Sequence, residues 1–269
     1  MALLAQLPSA LARRTGAAAL NLLLPPHCPG CQTRLPDPHH LCATCFMHCH
    51  LIAPPLCRVC GVPFAHADQG GEGGICLACL GQTHAYRAAR GAMAYQGLAK
   101  DLVLRFKHAS ETGLANFFAP LMRRAGAELL ARATLIVAVP LHPTRLRARG
   151  YNQAVLLARA VARATTIPLV PDALVRTHAT EKLRHTSAAD RADIMANAIA
   201  VRPSLARRLA GQNVLVIDDV MTSGATLTAC ANALRNAGAA NIDGLVAARV
   251  PAPELQTPKS GFAVERIAK

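Results

Sequence analysis

Eight cysteines in four C-x2-C pairs, Cys28/Cys31, Cys42/Cys45, Cys57/Cys60 and Cys76/Cys79, constrain what this chain can fold into more than any other feature. A C-x2-C turn aims two sulfurs at one ion, and two such turns complete a tetrahedral thiolate site of the zinc-ribbon kind. The segment around them is rich in Pro, Gly and His and has little apolar material. Metal ligation must therefore supply the folding free energy that so small a core cannot. Two structural zinc ions are expected, held by the eight thiolates. Disulfides are the competing reading and are disfavoured in a chain read as cytoplasmic. The spacing leaves the pairing open: sequential pairing makes two ribbons, crossed pairing makes an interleaved one. Cys49, His27, His48 and His50 lie close enough to substitute as ligands and are read as bystanders.

Nine of the ten cysteines precede residue 80, which marks a sharp compositional boundary. From Tyr86 onward, apolar strands alternate with Ala-rich and Leu-rich helical patterns, the signature of a parallel sheet with crossover helices. Leu98, Leu102 and Phe106 are spaced for one helical face, and Leu114, Phe117, Phe118, Leu121 and Leu129 continue with another. Leu135–Pro140, Val214–Ile217 and the stretch from Ile242 to Val250 read as strands, with a helix after Tyr151 and another closed by Gly238. The expected organisation is an amphipathic helix over 1–24, a double zinc ribbon over 25–82, an α/β domain over 86–250 and a tail over 251–269. Arg13-Arg14 and the apolar run Gly16–Leu24 mimic an export signal, but the run is short and ends in Pro25-Pro26 without a small-residue cleavage site. A cytoplasmic location is expected. No stretch reaches the roughly 20 apolar residues of a membrane span.

The formal net charge of +14 favours polyanionic partners, nucleic acid or phosphorylated small molecules. Aromatic residues are only 3% and Trp is absent, so a surface that binds single strands by stacking many bases has few platforms.

The sharpest chemical signal lies after the strand Val214–Ile217. There Asp218 and Asp219 are followed by the small and hydroxyl residues Thr222, Ser223, Gly224, Ala225 and Thr226. In a parallel α/β sheet, ligands sit where loops leave the carboxyl ends of strands. Small side chains let backbone N–H groups approach an anion, and the helix that follows adds its positive end. The carboxylates repel a phosphate but accept hydrogen bonds from ribose hydroxyls. One ligand held at two points, sugar on the acids and 5-phosphate on the loop, meets both demands. The Gly-x4-Gly-Lys-Ser/Thr of a P-loop is missing, which argues against a nucleoside triphosphatase.

Ile217–Thr226 resembles the phosphoribosyl pyrophosphate (PRPP) motif of type I phosphoribosyltransferases. LLPPHCPGC at the start, Arg105–His108 and Val139–Ala154 narrow the resemblance to the ComF family of competence-associated proteins. That family is similar in joining an N-terminal zinc ribbon to a phosphoribosyltransferase-like domain. The implied fold is therefore α/β: a type I phosphoribosyltransferase-like parallel sheet flanked by helices, with a small zinc-ribbon domain before it. The resemblance places the pyrophosphate loop at Pro140, Leu141 and His142, with Arg145, Arg149, Asn152 and Gln153 facing the site. Guanidinium forks at Arg145, Arg147 and Arg149 also suit a diphosphate in their own right. Between Arg176 and Val201, where the segment covering the site is expected, Leu183, Ile194 and Ile199 replace the Gln, Asn and Phe of the family pattern.

Two functions follow as expectations. The first is a Mg2+-dependent phosphoribosyl transfer from PRPP, in which preorganised charges stabilise the leaving pyrophosphate. No residue is an obvious general base; Lys107 and His142 are the candidates. The second is a non-catalytic module that binds phosphoribose or single-stranded DNA alongside competence and recombination proteins.

Overall fold

The computed structural model describes residues 25–176 and 198–252. The expected helix over 1–24, Leu183, Ile194 and nearly all of the tail lie outside the described residues. The chain divides into two compact units, residues 1–48 and Cys49 onward.

Each unit contains one four-cysteine cluster, and the knuckles that open the two clusters are built alike. In the first, Cys28 N–H donates to the Thr33 carbonyl (2.8 Å), Gln32 N–H to Cys28 (2.9 Å) and Leu35 N–H to Pro26 (2.8 Å). In the second, Cys57 N–H donates to Val62 (2.8 Å), Gly61 N–H to Cys57 (2.9 Å) and Phe64 N–H to Pro55 (2.9 Å). Gln32 and Gly61 occupy the same left-handed position, at φ 63° and 68°. The short helix α1 (Ala43–Met47) completes the first unit, with the Cys42 sulfur accepting from Cys45 N–H at its N-terminus.

The second knuckle is continuous with the α/β domain. Strand β1 (Ala88–Ala94) forms one edge of the sheet, and its free side is taken by the knuckle: Ala89 N–H donates to the Val59 carbonyl (2.7 Å), and Ala94 N–H to His50 (2.8 Å). Covering an edge this way removes a template for unwanted strand pairing. The contact needs Gly61, because a Cβ there would stand 2.4 Å from the Ala89 carbonyl oxygen.

The remaining elements are α2 (Gly97–His108), α3 (Leu114–Ala125), α4 (Ala127–Arg132), β2 (Leu135–Ala138), α5 (Pro143–Arg149) and α6 (Gln153–Ala162). They are followed by β3 (Leu169–Val170), β4 (Leu174–Arg176), β5 (Ile199–Val201), α7 (Ala206–Leu209), β6 (Asn213–Met221), α8 (Ala225–Asn236) and β7 (Asn241–Arg249). Five strands pair in the order β1-β7-β6-β2-β3, all parallel, while β4 and β5 form a separate antiparallel pair. Val137, Leu215, Ile217, Leu245 and Ala247 are fully buried in the sheet, and Phe106, Phe118, Leu157 and Leu234 pack from the helices. This is the expected parallel α/β architecture.

The apolar stripe from Leu114 to Leu129 is two helices rather than one, because the chain breaks at Gly126, where a Cβ would stand 2.7 Å from the Leu245 side chain. Strand β6 also runs four residues beyond Val214–Ile217. Its partner β7 is equally long and pairs Asp218 with Val246, Val220 with Ala248 and Met221 with Arg249. Within β7, Asp243 (3% exposed) accepts from Arg132 Nε and Nη2 (both 2.9 Å) and from Arg87 Nη2 (2.8 Å). Burial pushes its carboxyl up, but the hydrogen bonds from Arg132 and Arg87 outweigh that and leave it below the usual carboxylate range.

Candidate functional site

The eight knuckle cysteines gather as two clusters, Cys28/Cys31/Cys42/Cys45 and Cys57/Cys60/Cys76/Cys79, whose sulfurs lie within 4.8 Å of one another in each cluster. The pairing that spacing left open is sequential. Cys31 and Cys42 sulfurs are 3.5 Å apart and Cys60 and Cys76 sulfurs 3.7 Å apart. A tetrahedron with Zn–S bonds of about 2.3 Å has edges of about 3.8 Å, whereas a disulfide closes to about 2.05 Å. Backbone N–H groups supply the charge support that thiolates need: Cys42 N–H points at Cys28 (3.3 Å) and Cys76 N–H at Cys57 (3.4 Å). Hydrogen bonds from the Cys60 side chain and from neighbouring N–H groups hold the Cys57 thiol well below its usual range. The clusters fit two structural zinc ions. Cys49 lies outside them with its thiol against the Met93 sulfur (3.3 Å), and His48 Nδ1 meets the Thr44 carbonyl (2.8 Å).

The second site is at the carboxyl end of the sheet. Successive strand residues face opposite sides, so the extension of β6 separates the two acids. Asp219 (9% exposed) meets Lys107 at the end of α2, Oδ1 to Nζ 3.1 Å. Asp218 faces the other way, into a cavity of about 200 Å3 that it lines with Thr222, Ser223, Gly224, Ala225 and Thr226. Gly224 opens α8 in the left-handed conformation (φ 86°). A Cβ there would lie 2.8 Å from the Met221 methyl and 3.2 Å from the Tyr86 hydroxyl. Thr222–Thr226 thus forms the small-residue turn into a helix N-terminus that an anion cradle requires.

Burial, then the charge of Asp219, pushes the Asp218 carboxyl up to about 8, against the Asp219 N–H (2.8 Å) and the positive charges of Lys107 and Arg176. The folded form therefore holds a proton that the unfolded chain releases near 3.8. The resulting stability is full below that value and lost as pH rises toward about 8. Asp218→Asn should accordingly raise the melting temperature of the ligand-free protein by an amount that grows from about pH 4 to about pH 8 and then levels off, at about 2–4 °C per kcal/mol relieved. Thermal unfolding across pH checks this, and a gap independent of pH is the contrary result.

On the other side of the acids, β2 runs beside β6 and Val139 N–H donates to the Ile217 carbonyl (3.0 Å), so Pro140, Leu141 and His142 leave the sheet next to the acid pair. The loop is shorter than its sequence implies, because Pro143–Arg149 is the helix α5. His142 caps that helix, its Nδ1 accepting from Thr144 N–H (3.3 Å). Lys107, Arg145 and Arg149 line one cavity of about 280 Å3 together with His108 and Ser110. Arg147 lies apart from it, its Nε donating to the Pro143 carbonyl (3.4 Å). Asn152 and Gln153 serve the frame. Asn152 caps α6 and donates to the Val139 carbonyl (3.0 Å), while Gln153, 1% exposed, accepts from Arg149 (2.7 Å). Tyr151 bonds the Phe106 carbonyl (2.5 Å), tying this segment to the end of α2.

Sequence reasoning missed two arginines. Arg176, ending β4, is close enough to Asp218 to stabilise its charged form, and its own basicity is lowered by burial and by Arg145. Arg249, ending β7, donates to the carbonyls of Cys60, Met221 and Thr222. Each sits at a strand end, where register alone brings it to the site.

Residues 19–80 match the double zinc ribbon domain and residues 152–266 match the phosphoribosyl transferase domain. The chain joins a double zinc ribbon to a phosphoribosyltransferase domain. The resemblance to the ComF family read from the motifs agrees with these two domains and with relatives named competence protein F and competence protein ComFC. The chain is 28% identical to the DNA utilization protein YhgH of Escherichia coli (strain K12), over 70% of this chain and 81% of that one. It is 26% identical to competence protein ComFC of Bacillus subtilis (strain 168), over 74% and 80%. To competence protein F of Haemophilus influenzae it is 36% identical, over 40% of this chain and 46% of that one. Among solved structures, a glutamine PRPP amidotransferase from B. subtilis overlaps 53% of this chain and 30% of its own, with 18% identity and a TM-score of 0.34. No helix among the described residues is long and apolar enough to cross a membrane.

Proposed function

We propose that the α/β domain binds PRPP or a related phosphoribosyl ligand and transfers its phosphoribosyl group. The observation that carries this reading is the shared cavity of Asp218 and the turn Thr222–Thr226, opened by Gly224 at the N-terminus of α8. The turn would hold the 5-phosphate and the acids the ribose hydroxyls. Arg145, Arg149 and Lys107 would meet the pyrophosphate, stabilising the charge that develops as it leaves. Asn152 holds this wall in place, and Gln153 accepts from Arg149 through Oε1 while its buried Nε2 has no partner among the described residues.

The two acids offer a divalent ion little by themselves, since Asp219 is paired with Lys107 and burial beside Asp219 raises the Asp218 carboxyl. The arrangement suits a Mg2+ carried by the oxygens of the ligand itself. Bound so, the ion would shield the diphosphate and ease its departure.

The relatives named for competence and DNA utilization, with the net charge of +14, favour a second reading, in which the protein works beside competence and recombination proteins and binds DNA without chemistry. Pyrophosphate release from PRPP and Mg2+ in the presence of candidate bases separates the two. Release supports the transferase. Binding of single-stranded DNA that weakens steeply with salt, without any release, supports the binding module. On either reading, a cytoplasmic location is proposed.

A further inference from the structure

Arg249 is 8% exposed, and its hydrogen-bond acceptors among the described residues are all backbone carbonyls. Its Nε donates to the carbonyl of Cys60 (3.3 Å), in the second knuckle. Its Nη1 donates to the carbonyls of Met221 (3.3 Å), Val250 (2.8 Å) and Thr222. One guanidinium thus joins the second metal cluster to the first residues of the anion cradle. A buried cation needs a compensating charge, and four thiolates around a divalent ion carry a net negative charge beside Cys60. In a trans peptide the carbonyl of one residue and the N–H of the next point in opposite directions. Holding the Met221 and Thr222 carbonyls toward Arg249 therefore turns the N–H groups of Thr222 and Ser223 away from it, leaving them for an anion. Tyr86, 2% exposed, braces the same turn next to Gly224.

We propose that Arg249 is a positioning residue that ties the phosphate cradle to the second cysteine cluster, so that zinc at that cluster holds the cradle in its binding conformation. The cluster before His48 has no such role. The ligand side of this inference rests on the phosphoribosyl reading above; the coupling between metal and loop does not.

The test is amide hydrogen exchange of the full chain across residues 221–226, with strand β2 as internal reference. Arg249→Lys keeps the charge but donates from a single point, so it cannot span the Cys60 carbonyl and the turn. Expected is exchange about tenfold faster or more in the cradle, with β2 unchanged and two zinc ions still bound. Cys76→Ser should show the same acceleration after losing one zinc, and Cys31→Ser should leave the cradle at the wild-type rate. Wild-type exchange in Arg249→Lys overturns the proposal. So does acceleration of β2 to the same extent, or equal acceleration in Cys31→Ser. Calorimetry adds the ligand arm: Arg249→Lys should weaken ribose 5-phosphate by about tenfold while inorganic pyrophosphate binds as to wild type. A wild type that binds neither PRPP nor ribose 5-phosphate sinks the phosphoribosyl reading, and the exchange data still decide the role of Arg249.

Discussion

Serine at Cys57 should leave one zinc ion per chain instead of two and destabilise the α/β domain along with its knuckle. Structural zinc contributes about 10–16 kcal/mol of apparent binding free energy to small domains, so losing one ligand of four exceeds what such a module can spare. The effect then spreads. The knuckle carbonyls of Arg58, Val59 and Cys60 accept hydrogen bonds from Arg90, Ala89 and Arg249 (3.1, 2.7 and 3.3 Å). At about 0.5–1.5 kcal/mol each, their loss costs the sheet edge about 1.5–4.5 kcal/mol. Cys28→Ser should also remove one zinc, but unfold residues 25–48 while the unit from Cys49 onward keeps its own core. Metal analysis and thermal unfolding of both variants check this. Thiol titration finding the eight cysteines oxidised, or a Cys57→Ser domain that melts like the wild type, counts against it.

Asp219→Asn and Gly224→Val should weaken PRPP binding while a control, Arg207→Ala at an exposed position of α7, leaves it unchanged. Asn keeps the shape of Asp219 and removes the charge that Lys107 meets at 3.1 Å. A hydrogen bond to a charged group contributes about 1.5–3 kcal/mol, so the expected loss is about tenfold to a hundredfold. Gly224→Val should do more. At φ 86° a β-branched residue is strained by about 1–3 kcal/mol, and its Cβ would also meet the Met221 methyl at 2.8 Å and the Tyr86 hydroxyl at 3.2 Å. The turn would have to move, and its N–H groups with it. Calorimetry on the four proteins decides the matter. Equal affinity throughout would show that the ligand sits elsewhere.

The weaker contribution of Asp219 follows from a detail that the sequence hides. As adjacent letters the two acids read as one paired site. Strand β6 carries on through them, so the two-residue period of the strand sends Asp218 to the cradle and Asp219 to Lys107. On the cradle side, burial and the neighbouring charge of Asp219 raise the Asp218 carboxyl above its usual range.

Features set by short-range covalent geometry were legible without a structure. Two cysteines separated by two residues can face one ion whatever the rest of the chain does, and Thr222–Thr226 can only be a turn of small residues, with Gly224 free to take positive φ. The alternation of apolar runs with helical stripes likewise announced a parallel α/β sheet. The pairing of the knuckles, the division of the acids and the roles of Arg176 and Arg249 depended instead on which strand ends lie side by side. Cys60 and Arg249 are 189 residues apart in sequence, and only the register of β1, β7 and β6 brings them to one hydrogen bond. No local pattern encodes that contact, because it arises from the packing of the whole sheet.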